Sequence, residues 1–152
     1  MRISCPLSSP QTVLVGAAEP GVVTLNQSGS GPGAILEQKA DGSVTLNSAA
    51  NPASPGDALM IYCTGLGTVS PAVAAGSAAP LSSLVYTDGK TSATVGGVNA
   101  QVLFSGLAPG WMGLYQVNVL VPGGITPASS VPVVLTTGGS ASAPVMVAVR
   151  AQ

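Results

Sequence analysis

The stretch Tyr115-Gln116-Val117-Asn118-Val119-Leu120-Val121 decides the fold class, because its apolar and polar side chains alternate along the first five positions. A period of two residues is typical of a β-strand that buries one face. The pattern therefore predicts a strand whose buried face is formed by Tyr115, Val117, Val119 and Val121.

Similar short runs recur along the chain at the spacing of about 8–12 residues that all-β sandwiches and barrels show. Clusters rich in Gly and Pro separate these runs, and the 20 Gly and 13 Pro of the chain disfavour long helices. The alanine-rich stretch 72–79 allows a short helix at most, because Gly76 and Pro80 interrupt it. The predicted fold class is all-β, with strands at residues 12–15, 22–25, 34–36, 44–46, 58–64, 93–95, 100–105, 115–121, 131–136 and 145–149.

Glycine pairs mark the predicted chain reversals. Asp41-Gly42 and Asp88-Gly89 predict tight hairpins with type I′ turns, since these turns need positive φ at both central residues. Gly96-Gly97 predicts a further tight reversal, while Pro122-Gly123-Gly124 and Gly138-Gly139 end strands.

Composition excludes several classes of function. The 152 residues carry four Lys and Arg against five Asp and Glu, too few cations to neutralise a nucleic-acid backbone. The chain has no His, the usual general base near neutral pH and the most common transition-metal ligand. Its two cysteines cannot complete a structural zinc site alone. We therefore expect no enzyme, no cofactor and no nucleic-acid partner.

The sequence also bears on location. No stretch approaches the roughly 20 apolar residues of a membrane-spanning helix, so no membrane span is expected. The first seven residues lack the apolar core of a signal peptide, so an export signal is expected upstream or already removed. Because charged residues are only 6% and Ser and Thr supply the polar positions, an extracellular or cell-surface location is favoured.

Six stretches in a fixed order carry a resemblance to a known family. They are Ala18-Glu19-Pro20-Gly21-Val22-Val23-Thr24-Leu25-Asn26, Gly33-Ala34-Ile35-Leu36, Asn47-Ser48-Ala49-Ala50-Asn51-Pro52-Ala53, Ile61-Tyr62-Cys63-Thr64-Gly65-Leu66-Gly67-Thr68-Val69-Ser70-Pro71, Gly96-Gly97-Val98-Asn99-Ala100 and Leu107-Ala108-Pro109-Gly110-Trp111-Met112-Gly113-Leu114-Tyr115-Gln116-Val117-Asn118-Val119. Together they resemble the uncharacterised C-terminal domain family named after Solibacter, which recurs at the ends of large secreted acidobacterial proteins. The resemblance implies an exported immunoglobulin-like β-sandwich of the IPT/TIG type with no assigned activity. It divides the chain into an N-terminal tail, residues 1–16, and a sandwich domain, residues 17–152.

The tail contains the predicted extra strand Thr12, Val13, Leu14 and Val15. In the family, a strand at this place closes a preceding similar domain, so here we expect it to lack a local partner. An unpaired strand can add to the sheet edge of another copy, and a head-to-tail contact that does not close gives a filament. The alternative is that residues 1–16 fold back on their own sandwich.

Cys5 and Cys63 predict one disulfide, because cysteines of exported chains are commonly paired. The family usually has a small residue at the position of Cys63, and Cys5 lies outside its pattern. The bridge would anchor the tail to a core strand, within one subunit or between two. The alternative is a pair of unrelated free thiols.

Trp111 is the candidate ligand contact, because a tryptophan in a loop after Pro109-Gly110 can stack on a sugar. The alternative is a plug over the end of the sandwich, since the matching family position is generally bulky and apolar. A glycosidase-type carboxylate pair is not favoured, and a loop calcium site is the milder alternative, because the carboxylates lie on separate turns. They are Glu19, Glu37, Asp41, Asp57 and Asp88.

These observations lead to one expected function and one alternative. We expect a non-enzymatic extracellular structural module that assembles head-to-tail with copies of itself, into a filament, by donating its N-terminal strand. The alternative is a carbohydrate- or surface-binding module of a larger secreted protein, with polysaccharide as its partner.

Overall fold

The computed structural model describes residues 12–13 and 15–151 and has a fold made of strands and loops. No helix among these residues is long and apolar enough to cross a membrane. The strands are β1 (Gly21–Val22), β2 (Gly31–Pro32), β3 (Ile35–Gln38), β4 (Val44–Leu46), β5 (Ala58–Thr64), β6 (Val69–Ser70), β7 (Tyr86–Thr87), β8 (Thr91–Val95), β9 (Val98–Ala100), β10 (Val102–Leu107), β11 (Tyr115–Leu120), β12 (Ala128–Thr137), β13 (Ser140–Ala141) and β14 (Val145–Val149).

The strands form two sheets that pack together. The large sheet has the order β4-β3-β5-β11-β10-β7-β6, with β1 also pairing with β5. The small sheet has the order β2-β14-β12-β8-β9, with β13 pairing with β12. The all-β class and the β-sandwich predicted from the sequence are confirmed.

The core lies between the sheets and is built from alternate residues of the long strands. Strand β5 buries Leu59, Ile61 and Cys63, while the residues between them are partly exposed. In β11 and just beyond it, the predicted face is confirmed, since Tyr115 is partly buried and Val117, Val119 and Val121 are buried. Burying one such aliphatic side chain stabilises the fold by about 1.5–3 kcal/mol. Apolar residues therefore occupy every second position of a strand that faces the core, and this alternation can be recognised in the sequence.

Two of the predicted reversals are tight two-residue turns. Gly96 and Gly97 both have positive φ, 61° and 78°, and join β8 to β9 with Val95 opposite Val98. Gly138 and Gly139 join β12 to β13 in the same way. Positive φ at both positions is the geometry that favours glycine in type I′ turns.

The other two turn predictions need correction. Asp41-Gly42 does reverse the chain between β3 and β4, but only Gly42 has a positive φ, 83°, so the type I′ assignment is wrong. Asp88-Gly89 forms no hairpin, because it leads from β7 in the large sheet to β8 in the small sheet. The stretch 72–79 contains no helix.

The predicted strand at residues 12–15 is not observed in the part that the structure describes. Thr12, Val13 and Val15 belong to no strand and pair with none of the described strands, and Leu14 lies outside the described residues. Val13 is 77% exposed and Val15 91% exposed. These two side chains therefore do not pack on their own sandwich.

Candidate functional site

The exposed start of the described chain leaves the sandwich from a well-anchored point. The Glu19 N–H donates to the Gly65 carbonyl at 2.8 Å, and β1 then pairs with the end of β5. A Cβ on Gly65 would collide with the Glu19 carbonyl, and its φ of 75° also favours glycine. The Tyr115 hydroxyl donates to the Gly67 carbonyl, and burial raises the pKa of that hydroxyl. The segment that carries Val13 and Val15 is thus followed by residues that hydrogen bonds attach to the sandwich.

The two strand orders end in β4, β6, β2 and β9, and a proline lies in or directly after two of these end strands. Strand β2 contains Pro32, and Pro71 directly follows β6. Proline blunts a sheet edge because it has no N–H to donate to a further strand. Strands β4 and β9 have no such protection and leave one side unpaired among the described strands.

The outward face of the large sheet is uncharged in the strands that the structure describes. Register places Leu36, Leu46 and Met60 side by side on this face, since Leu36 lies opposite Leu46 in β4 and Met60 in β5. Val44 and Leu46 at its β4 edge are 47% and 43% exposed. A solvated face of an antiparallel sheet normally carries polar side chains, whereas Val44 and Leu46 make this edge of the face apolar.

Trp111 belongs to the same side of the molecule. It is 63% exposed and lines a shallow hollow of about 320 Å³ together with Val23, Ala34, Tyr62 and Leu114. The 63% exposure of Trp111 does not fit the alternative of a plug over the end of the sandwich, and backbone hydrogen bonds join its loop to Ala79 and Ala108. The Tyr62 hydroxyl and the Trp111 indole N–H are the polar side-chain groups among the described residues that line the hollow, and the other lining side chains are apolar.

Cys63 is a free, fully buried thiol on the inward face of β5. Burial raises its pKa to about 12, so it stays protonated at neutral pH. The structure contains no disulfide at Cys63, and Cys5 lies outside the described residues.

A buried polar cluster that sequence reasoning missed closes one edge of the small sheet. The Asn47 side chain accepts from the Ala148 N–H at 2.7 Å and donates to the Ala148 carbonyl at 2.9 Å, as a neighbouring strand would. Its amide also donates to the Glu37 carboxylate at 3.0 Å, and the Lys39 ammonium lies 3.3 Å from the other carboxylate oxygen. The burial of Glu37 could have been predicted from the sequence, because Glu37 lies two residues after Ile35 and therefore on the same inward face of β3.

Two further carboxylates, Asp41 and Asp57, serve local structure. Asp41 accepts from the Ser43 N–H and Asp57 from the Ser54 N–H, each at 2.8 Å. Over the described residues, no group of three or more Cys, Asp or Glu side chains is placed to hold a metal ion.

Comparisons with known proteins add no further constraint. No protein-family model, no curated protein and no solved structure matches this chain.

Proposed function

We propose that this protein is a non-catalytic, extracellular structural module that assembles head-to-tail, with the N-terminal segment of one copy adding to β4 of the next. The observation that carries the proposal is the 77% and 91% exposure of Val13 and Val15 on a segment without a strand partner in the described part of the chain. Two exposed valines with spacing two are suited to pair with a sheet edge. The resemblance to exported immunoglobulin-like modules supports the extracellular location and carries no assigned activity.

Strand β4 is the better acceptor of the two unprotected edges. Its outward side chains, Val44 and Leu46, are also two residues apart, so they can lie opposite Val13 and Val15 on one face. Edge strand β9 instead presents the exposed Asn99 between two small or partly buried residues. Pairing with β4 would therefore cover apolar surface that pairing with β9 would not.

The energetics require more than the strand pairing. A three-residue edge offers two or three ladder hydrogen bonds of about 0.5–1.5 kcal/mol each, and two apolar cross-strand pairs add about 0.2–1 kcal/mol each. Association costs at least about 4 kcal/mol in lost translation and rotation. The strand pairing alone supplies about 1.4–6.5 kcal/mol, which exceeds this minimum cost only at its upper end, so stable assembly also calls for burial of the uncharged face beside β4, around Leu36 and Met60.

Sedimentation velocity of the full chain tests the proposal. We expect species larger than a monomer, and a monomer for the Val13→Asp/Val15→Asp variant, because a carboxylate cannot be buried against Val44 and Leu46. Leu81→Asp is the matched control, since Leu81 is 85% exposed and lies away from β4 in sequence and sheet order. A monomeric full chain, or undiminished assembly of the double variant, would overturn the proposal.

A further inference from the structure

A second concave surface lies on the side of the sandwich, where β7 leaves β10 and crosses to β8. The groove has a volume of about 470 Å³. Tyr86 and Phe104 line it from the large sheet, Lys90 and Ser92 from the chain that enters the small sheet. Strand β10 pairs with β11 on one side, and on its other side it pairs with β7 only at Gly106. On that second side, the part of β10 from Val102 to Ser105 borders the groove.

Hydroxyl groups that connect the two sheets lie along the groove. The Thr87 hydroxyl donates to the Ser105 hydroxyl at 2.9 Å, the shortest of its three acceptor contacts. The Ser105 and Thr91 hydroxyls lie 2.8 Å apart, and the buried Thr137 hydroxyl donates to Thr91 at 3.1 Å. Thr87, Thr91 and Ser105 line the groove.

In the arrangement in which Thr87 donates to the Ser105 hydroxyl, its shortest contact, this network holds one proton without an acceptor among the described side chains. Each hydroxyl has one proton to donate and can accept two hydrogen bonds. Thr137 and Thr87 use their protons on Thr91 and Ser105, and a single proton serves the contact between Thr91 and Ser105. One of these two hydroxyls therefore keeps a proton that no described side chain accepts, and both hydroxyls line the groove.

The aromatic side of the groove is accessible. The Tyr86 and Phe104 rings pack edge to face, with centroids 5.5 Å apart and planes at 63°, and Tyr86 remains 50% exposed. Phe104 packs against the Tyr86 ring, and both rings share the groove lining with the hydroxyls of Thr87, Thr91 and Ser105. Lys90 is the one charged side chain in the lining, and it offers a further donor.

We propose that this groove binds a neutral saccharide, with one pyranose ring against Tyr86 and its hydroxyl oxygens on the Thr91–Ser105 pair and Lys90. A pyranose has an apolar C–H face and a polar rim, which matches an exposed aromatic ring beside unpaired hydrogen-bond donors. In the described part of its lining, the hollow at Trp111 has polar side-chain groups only on its two aromatic rings. The inference concerns the groove alone and does not depend on assembly through β4.

Isothermal titration of the full chain with a panel of hexasaccharides tests the proposal. The probes are maltohexaose, cellohexaose, xylohexaose, mannohexaose and chitohexaose. We expect at least one to bind with a Kd between about 10 µM and 1 mM. Tyr86→Ala should weaken that binding about tenfold through loss of the ring contact, while Tyr86→Phe should retain it. Circular dichroism verifies that each variant is folded.

Tyr62→Ala and Trp111→Ala are the matched controls, because they remove aromatic rings from the other concave surface. Unchanged saccharide affinity in both controls would support the groove. Binding of none of the five probes at about 10 mM would overturn the proposal. Binding that is lost in Trp111→Ala but kept in Tyr86→Ala would also overturn it.

Discussion

Replacing Asn47 by alanine tests the role of the buried polar cluster in fold stability. The substitution removes the two hydrogen bonds that occupy the Ala148 backbone and the one that reaches the Glu37 carboxylate. Glu37 is fully buried and would keep only Lys39 as a charged neighbour. An unsatisfied buried group costs its full desolvation penalty, so this loss should be large.

The expected loss follows from the kinds of hydrogen bond removed. A bond to a carboxylate contributes about 1.5–3 kcal/mol and a neutral one about 0.5–1.5 kcal/mol, which gives a loss of about 3–6 kcal/mol in the free energy of unfolding for Asn47→Ala. With a urea m-value of about 2 kcal/mol/M, the unfolding midpoint should fall by about 1.5–3 M. Hydrogen exchange of the Ala148 amide should accelerate, because its acceptor is gone.

Asn99→Ala is the matched control, since Asn99 is exposed in edge strand β9 and should change stability by less than about 0.5 kcal/mol. A loss below about 1 kcal/mol for Asn47→Ala, with slow exchange retained at Ala148, would refute the argument that Asn47 closes this sheet edge.

Three further predictions concern other parts of the structure. Because burial raises the pKa of Cys63 from 9.0 to about 12, the unfolded chain loses this proton first, and the free energy of unfolding should fall as pH rises from about 9 towards 12. At pH 8 a thiol reagent should label Cys63 only in denaturant, and labelling of the native protein would show that the thiol is accessible. Gly65→Ala should cost about 2 kcal/mol or more through its positive φ and its clash with Glu19, whereas Gly123→Ala, with open space around it, should be neutral by urea unfolding. Trp111→Ala should change stability by less than about 0.5 kcal/mol, and strong protection of the wild-type indole from acrylamide quenching would contradict its exposure.

The sequence predicts best those strands that bury one face over several residues. The bounds of β5 and β14 match their predictions, and both strands supply several buried core side chains. The two-residue strands β6 and β7 escape prediction, because distant partners hold them and local alternation does not. The same reason explains the failure at Asp88-Gly89, where a sequence typical of a hairpin connects two sheets.

Surface chemistry is harder to predict than the core. The sequence predicts Trp111 as a loop residue. The backbone of this loop hydrogen-bonds to Ala79, which is distant in the sequence, so local sequence does not show how the loop is placed. The groove at Tyr86 depends on β7 leaving β10, a topological feature that no local motif encodes. The sequence predicts a pairing strand at residues 12–15, whereas Thr12, Val13 and Val15 form no strand with the described part of their own chain.

Mixing two assembly-defective variants tests head-to-tail association most directly. Val13→Asp/Val15→Asp retains an intact β4 edge, and Val44→Asp/Leu46→Asp retains an intact N-terminal segment. Each should be monomeric alone by sedimentation velocity, and an equimolar mixture should form a dimer and nothing larger, because one donor and one acceptor remain in each pair. A mixture that stays monomeric, or either variant assembling like the unmodified chain, would contradict donation of the N-terminal segment to β4.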